Sequence, residues 1–211
     1  MLNKHIVLFF IIYLSQSFVY AQKVSLNPEV GINLSSLHHS DSYQDIKNNT
    51  IGVKAGLALN IPITKRIFIQ PGVYFDMRGA RIQEEFNGLV QENDYTLNYL
   101  QIPIHLQTEL PIGVLGELFV HVGPYVGWGI NGRKEVSINN IKEKAMDAFG
   151  DDEEQLKNID FGLNIGAGYR TPFGIYARVQ YGYGMGNLSN ISSESIQNRV
   201  WNIGLGWTIG G

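Results

Sequence analysis

Apolar and polar residues alternate with a period of two along most of the chain, and the pattern recurs about eight times. Between Ile159 and Arg170 every second residue from Ile159 onward is apolar or aromatic, whereas the residues between them are polar or glycine. Successive side chains of a strand point to opposite faces, so the pattern predicts strands with one apolar and one polar face. The predicted segments are 29–34, 51–61, 67–78, 100–109, 117–130, 159–170, 175–186 and 201–210.

The lengths of these segments and of their connections indicate a membrane barrel. Most segments have about 10–13 residues, whereas strands of soluble sheets have about 5–6 and tilted membrane strands need about 9–11. Short turns on one side and long loops on the other are typical of outer-membrane barrels. We therefore predict an all-β, eight-stranded antiparallel transmembrane β-barrel, an up-and-down meander with short periplasmic turns and long extracellular loops. The short connections are 62–65, 111–116 and 171–174, and the long ones are 36–49, 79–95, 131–158 and 187–197.

A soluble eight-stranded barrel of the lipocalin type is the alternative. It would turn its apolar face inward and its polar face toward water. The polar face of this chain is rich in glycine and carries balanced charges, which favours a narrow, filled interior instead. The 24 glycines and 11 tyrosines of the chain agree with a membrane barrel wall.

One long connection shows a different period. Ile138, Ile141, Ala145 and Phe149 recur at helical spacing, and Gly150 follows as a stop signal. We expect a short amphipathic helix over 137–149 that could cap the barrel mouth.

The N-terminal residues resemble a secretory signal. Lys4 precedes an apolar stretch over 6–14, and Val19-Tyr20-Ala21 ends in the small residue expected at a cleavage site. A stretch of this length is too short to cross about 30 Å of hydrocarbon as a helix. We predict a cleaved signal peptide over 1–21 and a barrel domain over 22–211, located in the cell outer membrane.

Composition excludes several classes of chemistry. The chain has no cysteine, so disulfides, thiolate metal sites and cysteine nucleophiles are ruled out. The formal net charge of −3 becomes −4 after cleavage, because residues 1–21 carry Lys4 and no acidic residue. This balance disfavours nucleic acid as a partner.

The polar face holds acidic and basic residues in nearly equal number. Eight strands leave room inside only for side chains, and buried charges must pair, so we interpret this set as a polar plug of the barrel interior. A narrow ion path or a ligand site is the alternative. The set comprises Glu29, Lys54, Gln70, Asp76, Arg78, Gln101, His105, Gln107, Glu109, Glu117, His121, Arg170, Arg178 and Gln180.

Aromatic residues near the strand ends are interpreted as girdles at the two membrane interfaces, where amphipathic rings prefer to lie. Platforms for stacking sugars are the alternative. The girdle residues are Tyr99, Trp128, Tyr169, Tyr176, Trp201 and Trp207.

Two histidine groups could carry chemistry. His105 and His121 fall on neighbouring predicted strands near Glu109 and Glu117, which would allow a metal or an acid–base pair. His38-His39 follows Ser36 and precedes Ser40 and Asp41 in the first long loop, where a Ser–His pair would suit acyl transfer. Neither group shows a complete motif, and we predict no catalytic residues, no metal and no cofactor.

An acidic run, Asp151-Asp-Glu-Glu154, lies in the third long loop. It could bind Ca²⁺ or bridge lipopolysaccharide through divalent ions, but it lacks the spaced ligands of a calcium loop. We interpret it as a solvated loop.

Several stretches together resemble the PorT-like outer-membrane β-barrel proteins of Bacteroidota. Tyr99-Leu-Gln-Ile-Pro103-Ile-His-Leu106 is the most specific of them, and the resemblance covers nearly the whole mature chain. The other matching stretches are Gly52-Val-Lys-Ala-Gly56, Phe68-Ile-Gln-Pro-Gly72 leading to Gly79, Gly123-Pro-Tyr-Val-Gly127 and Asp160-Phe-Gly-Leu-Asn-Ile-Gly166.

The resemblance implies a barrel in the outer membrane and leaves activity open, because most members have no assigned chemistry. One type of member is tied to type IX protein secretion, which makes that role an alternative. We predict a non-enzymatic barrel with a structural or interaction role. The alternatives are an accessory component of protein secretion, a small outer-leaflet lipid-modifying enzyme and a narrow pore. Expected partners are outer-membrane lipids, the barrel-insertion machinery and, under the secretion alternative, other envelope or secretion proteins.

Overall fold

A computed structural model describes residues 24–39, 46–86, 89–139, 141–153, 155–191 and 194–210. The predicted signal peptide lies outside these residues, as do Ser40, Asp41 and Glu154. No helix in the described part of the chain is long and apolar enough to cross a membrane.

Eight antiparallel strands close into a ring, which confirms the predicted barrel. The strands of the described residues are β1 Ser25–His39, β2 Ile46–Pro62, β3 Ile67–Phe86, β4 Leu89–Pro111, β5 Glu117–Ile138, β6 Ile141–Asp147, β7 Ile159–Arg170, β8 Ile175–Gly184 and β9 Ile196–Trp207. The strand β6 lies outside the ring and pairs with an extension of β5. Each strand of the ring pairs with the next ring strand along the chain, so β5 pairs with β7, and β1 pairs with β9 from Glu29–Gly206 to His39–Ile196.

The barrel wall is apolar outside and polar inside, as the alternation predicts. The neighbouring pairs Ile32–Ile203 and Asn33–Asn202 on β1 and β9 show this directly. The two isoleucines are 55% and 56% exposed, whereas the two asparagines are 0% and 2% exposed. An apolar exterior over the whole wall would be costly in water and is favourable in a lipid bilayer.

Glycines on the inner face make room for large aromatic rings. A Cβ on Gly168 would lie 2.3 Å from the Phe119 ring, and one on Gly206 would lie 2.3 Å from the Tyr176 ring. The narrow interior can therefore hold the Phe119 and Tyr176 rings because the strands facing them carry glycine, with no side chain, at those positions.

The two ends of the barrel differ as predicted. Three short connections join β2 to β3, β4 to β5 and β7 to β8 at one end, here called the short-turn end. Gly113, Gly116 and Gly174 adopt positive φ angles of 68°, 116° and 85° in two of these turns. Only glycine adopts such angles without strain, so these residues allow the strands to reverse tightly.

At the other end, here called the hairpin end, strands extend far past the barrel wall. β3 and β4 have 20 and 23 residues, and much of the connection predicted over 79–95 is a continuous β-hairpin. β1 likewise continues to His39, so Ser36, His38 and His39 lie on a strand.

The helix expected over 137–149 does not form, and this prediction was wrong. β5 continues to Ile138, Asn139 adopts a φ of 49°, and β6 returns antiparallel from Ile141. Asparagine accepts positive φ in two-residue hairpin turns, and a helix of this length is marginal in isolation. Lys142 Nζ lies 2.5 Å from Glu135 Oε2 across the hairpin, and this hydrogen bond lowers the pKa of the Glu135 carboxyl.

Candidate functional site

The polar residues predicted to face inward occupy the barrel interior. Lys54, Arg78 and Arg178 are buried although each carries a charge that would be costly to bury without a partner. Glu117 is half-buried at the short-turn end. The buried members of the set are Glu29, Lys54, Gln70, Asp76, Arg78, Gln101, His105, Gln107, Glu109, His121, Arg170, Arg178 and Gln180.

Arg78 organises the interior on the side of the hairpin end. Its Nη1 donates to Asp160 Oδ2 at 2.5 Å, and its Nη2 donates to Asp76 Oδ2 at 2.7 Å. Tyr125 Oη and Asn198 Nδ2 also donate to Asp160 Oδ2, at 3.0 and 3.1 Å. These contacts join four strands, β3, β5, β7 and β9, through the Asp160 carboxylate.

Arg178 organises the middle of the interior in the same way. Its Nη2 donates to Glu29 Oε1 at 2.5 Å, and Tyr176 Oη donates to Glu29 Oε2 at 3.0 Å. Lys54 lies 4.6 Å from the centre of the Tyr74 ring, a cation–π contact. The buried cations Arg178 and Lys54 are therefore stabilised by a carboxylate and an aromatic ring respectively.

His105 and His121 pack together, with ring centres 4.7 Å apart. Their hydrogen-bond partners are amides: Gln70 and Asn164 for His105, and Gln180 for His121. The described residues contain no group of three or more His, Cys, Asp and Glu side chains that could hold a metal.

Glu109 and Glu117, predicted near the histidines, instead pair with Arg170 at the short-turn end. Arg170 Nη1 donates to Glu109 Oε1 at 2.7 Å and also contacts Glu117. This ion pair lies in an open vestibule of about 950 Å³. Val114 and Phe173 on the surrounding turns are exposed apolar residues.

Sequence reasoning missed a buried apolar cluster inside the hairpin end, here called the apolar cap. It combines inward residues of β1, β3, β4 and β9 with residues of the two connections that follow β6 and β8. Its signal was present in the sequence, because the inward positions of β1, β3 and β4 change from polar to apolar toward this end. The apolar cap comprises Leu37, Ala80, Leu97, Tyr99, Ala148, Leu156, Leu188 and Ile196, with Tyr95 and Phe149 packed against it.

Backbone hydrogen bonds hold the two connections in the cap. Leu156 N donates to Ala148 O at 2.7 Å, and Lys157 N donates to Leu188 O at 2.8 Å. Asn190 Nδ2 donates to the carbonyls of Gly150 and Asp152 at 2.8 and 2.9 Å, which fixes the backbone around the acidic run. The described acidic side chains, Asp151 to Glu153, are exposed.

The aromatic residues assigned to girdles divide into two groups. Trp128, Trp201 and Trp207 are exposed on the outer wall, and Tyr169 is half-buried. Tyr99 and Tyr176 are buried inside the barrel, so their assignment to the girdle was wrong. Both share the polar face of their strands, where Tyr99 stacks with Arg78 at 4.8 Å and Tyr176 bonds Glu29.

The tips of the two hairpins are joined outside the barrel. Asn139 N donates to Val90 O at 2.9 Å, and Val90 N donates to Asn139 Oδ1 at 3.1 Å. The adjoining Leu89 and Ile141 are 52% and 64% exposed, and Val90 is exposed as well. We call Leu89, Val90 and Ile141 the tip patch.

An inside-out ring of eight strands with short turns at one end defines an outer-membrane β-barrel protein. The chain belongs to the family described as outer membrane protein beta-barrel domain, which matches residues 15–190. The protein is therefore located in the outer membrane, with the short-turn end facing the periplasm and the hairpin end facing the exterior.

Solved structures with a similar chain path include several bacterial outer-membrane proteins. Ail of Yersinia pestis is 14% identical over 89% of this chain and 98% of its own, with a TM-score of 0.44. Neisserial surface protein A is 10% identical over 88% and 99%, with a TM-score of 0.47. OprG of Pseudomonas aeruginosa is 11% identical over 89% and 95%, with a TM-score of 0.42. No curated protein sequence matches the chain.

Proposed function

We propose that the protein is a non-enzymatic outer-membrane barrel that presents its extracellular hairpins to another macromolecule. The tip patch carries this proposal. Leu89, Val90 and Ile141 are apolar and exposed, yet they lie at the far end of the hairpins, beyond the lipid-facing wall. Groups of apolar side chains exposed to solvent are typical of protein interaction sites.

The strand lengths support a role outside the membrane. β4 has 23 residues, whereas about 9–11 residues suffice to cross the hydrocarbon layer. Between the tip patch and the apolar wall, its outward residues are polar or charged, as Asp94, Thr96 and Asn98 show. The barrel thus supports a sheet that continues well past the membrane surface.

The interior favours a support role over a narrow pore. Arg78 and Arg178 are held by carboxylates of other strands, Asp160 and Glu29, and the apolar cap lies between this network and the exterior. An ion passing through would have to break buried charge pairs, which is costly in a low-dielectric interior. The lipid-modifying alternative rests on Ser36 and His38 and predicts that His38→Ala changes lipid acylation without lowering barrel abundance.

A role in protein secretion is the second candidate, in keeping with the PorT-like resemblance carried by Tyr99-Leu-Gln-Ile-Pro103. The periplasmic vestibule favours it, because Val114 and Phe173 expose apolar side chains around a concave opening. This candidate places the partner on the periplasmic side.

Photo-cross-linking distinguishes the two candidates. A photoreactive residue replaces Leu89 or Ile141 at the tip patch, Val114 or Phe173 at the periplasmic turns, or Ile32 on the lipid-facing wall as a control. We expect discrete protein adducts from the tip patch in intact cells. Adducts confined to Val114 and Phe173 would support the secretion candidate, and adducts from neither end would contradict both.

A further inference from the structure

Charged residues occupy the outward face of the extended sheet directly above the apolar wall. The outward positions of β3, β4, β5 and β6 there bring cations and carboxylates side by side. We call this group the outer ladder, and it comprises Arg81, Glu92, Asp94, Arg133, Glu135 and Lys142.

Two arginines of the outer ladder line one pocket. Arg81 on β3 and Arg133 on β5 border a cavity of about 520 Å³, and their carboxylate partners Asp94 and Glu135 line it as well. The guanidinium N–H donors that these carboxylates leave free are available to a phosphate group, which arginine binds through several charge-assisted hydrogen bonds. The other lining residues include Asn49, Ile51 and Thr96.

Both guanidiniums are held in place and remain accessible. Arg81 Nε and Nη2 donate to the two oxygens of Asp94 at 2.6 and 3.2 Å, which fixes the plane of the guanidinium. Arg133 contacts Glu135 through Nε at 2.9 Å, so this contact engages one of its five N–H donors. The two side chains are 47% and 65% exposed.

The pocket lies where a lipid headgroup would be. Ile51 on β2 and Trp128 and Ile130 on β5 are exposed apolar residues of the outer wall, on the strands that flank the β3–β4 hairpin. They mark the upper margin of the surface that contacts acyl chains, and Arg133 follows directly above them on β5. A molecule with acyl chains on the wall would bring its polar group to the pocket.

We propose that Arg81 and Arg133 bind a phosphate group of an outer-leaflet glycolipid. The three cations and three carboxylates of the outer ladder balance, so the patch has little general attraction for soluble anions. A lipid does not depend on this general attraction, because its acyl chains on the apolar wall hold its phosphate group next to the pocket. The chemistry therefore favours a lipid phosphate over a free anion.

The test compares Arg81→Gln/Arg133→Gln with Arg66→Gln, which removes an exposed cation from the periplasmic β2–β3 turn. The proteins are placed in nanodiscs with diphosphorylated lipid A or its dephosphorylated form, and bound lipid is measured by native mass spectrometry. Correct folding is checked by the change in gel migration on heating, and Arg81→Lys/Arg133→Lys serves as a second variant that keeps the charge.

We expect the double Gln variant to lose at least about tenfold in affinity for diphosphorylated lipid A, because it lacks the charge-assisted hydrogen bonds from the two guanidiniums to the phosphate. Arg66→Gln should match the original protein, and the Lys variant should lie between. The dephosphorylated lipid should bind all variants equally. Unchanged binding by the double Gln variant, or equal competition by inorganic phosphate, would overturn the proposal without bearing on the tip patch.

Discussion

The Phe149 ring packs edge-on against the Tyr99 ring, with centres 5.4 Å apart and planes at 74°. Tyr99 also stacks on Arg78, at 4.8 Å. The apolar cap and the charged interior therefore meet at Tyr99, so the connection after β6 packs onto a ring that also contacts the buried Arg78 guanidinium.

Removing the Phe149 ring should destabilise the apolar cap locally without unfolding the barrel. Phe149→Ala deletes a partly buried ring, which costs about 2 kcal/mol or more in a packed site. We expect faster proteolysis within 148–157 and an unchanged gel shift on heating. Phe173→Ala, which deletes an exposed ring at the periplasmic turn, should leave both measurements unchanged. Equal proteolysis of the two variants would contradict the packing described for the cap.

Gly129 and Gly132 form the slot that receives Phe149. A Cβ on Gly129 would lie 2.6 Å from the Phe149 ring, and one on Gly132 would lie 2.9 Å from it. Gly129→Ala should displace the ring and raise the proteolysis rate as Phe149→Ala does. Because both changes act on one contact, the double variant should be little worse than either single one. Additive effects would show that Gly129 acts elsewhere.

Asp160 is the acceptor on which the Arg78 network depends. Asp160→Ala leaves the donors of Arg78, Tyr125 and Asn198 without a shared acceptor inside the barrel. Breaking a buried ion pair costs about 3–5 kcal/mol, so urea unfolding in lipid vesicles should occur at clearly lower urea. Glu135→Gln, which weakens contacts to the exposed cations Arg133 and Lys142 outside the barrel interior, should unfold like the original protein. A match between Asp160→Ala and that control would argue against the network.

The three tryptophans should report the membrane-facing wall. Trp128, Trp201 and Trp207 are exposed on the outer face, so lipids with brominated acyl chains should quench each of them in variants that retain a single tryptophan. Trp207 ends β9 at the short-turn end, and Trp128 lies in the middle of β5, near the top of the apolar wall. Bromines near the headgroups should therefore quench these two most. A tryptophan untouched by every brominated lipid would contradict the outward orientation.

The barrel wall was predictable from the sequence because the orientation of each side chain depends only on its position along the strand, which alternates with a period of two. Ile32 and Asn33 follow from the alternation alone. The positions of Tyr99 and Tyr176 were predicted wrongly because an aromatic residue near a strand end suits either the membrane interface or a glycine-lined interior. For Tyr176 the interior position is possible because Gly206 faces it without a side chain. The β5–β6 hairpin was missed because helical spacing of Ile138 and Ile141 also fits two strands joined by an asparagine turn. The apolar cap depends on contacts between residues distant in sequence, which local patterns do not contain.

Conductance through the purified protein in a planar lipid bilayer tests the central claim, that the interior is filled and the function lies on the outer surfaces. Arg78, Arg178 and the apolar cap predict no stable current steps at moderate voltage in the original protein. Steady, reproducible unit steps that scale with the amount of protein inserted would contradict a filled interior and favour the narrow-pore alternative.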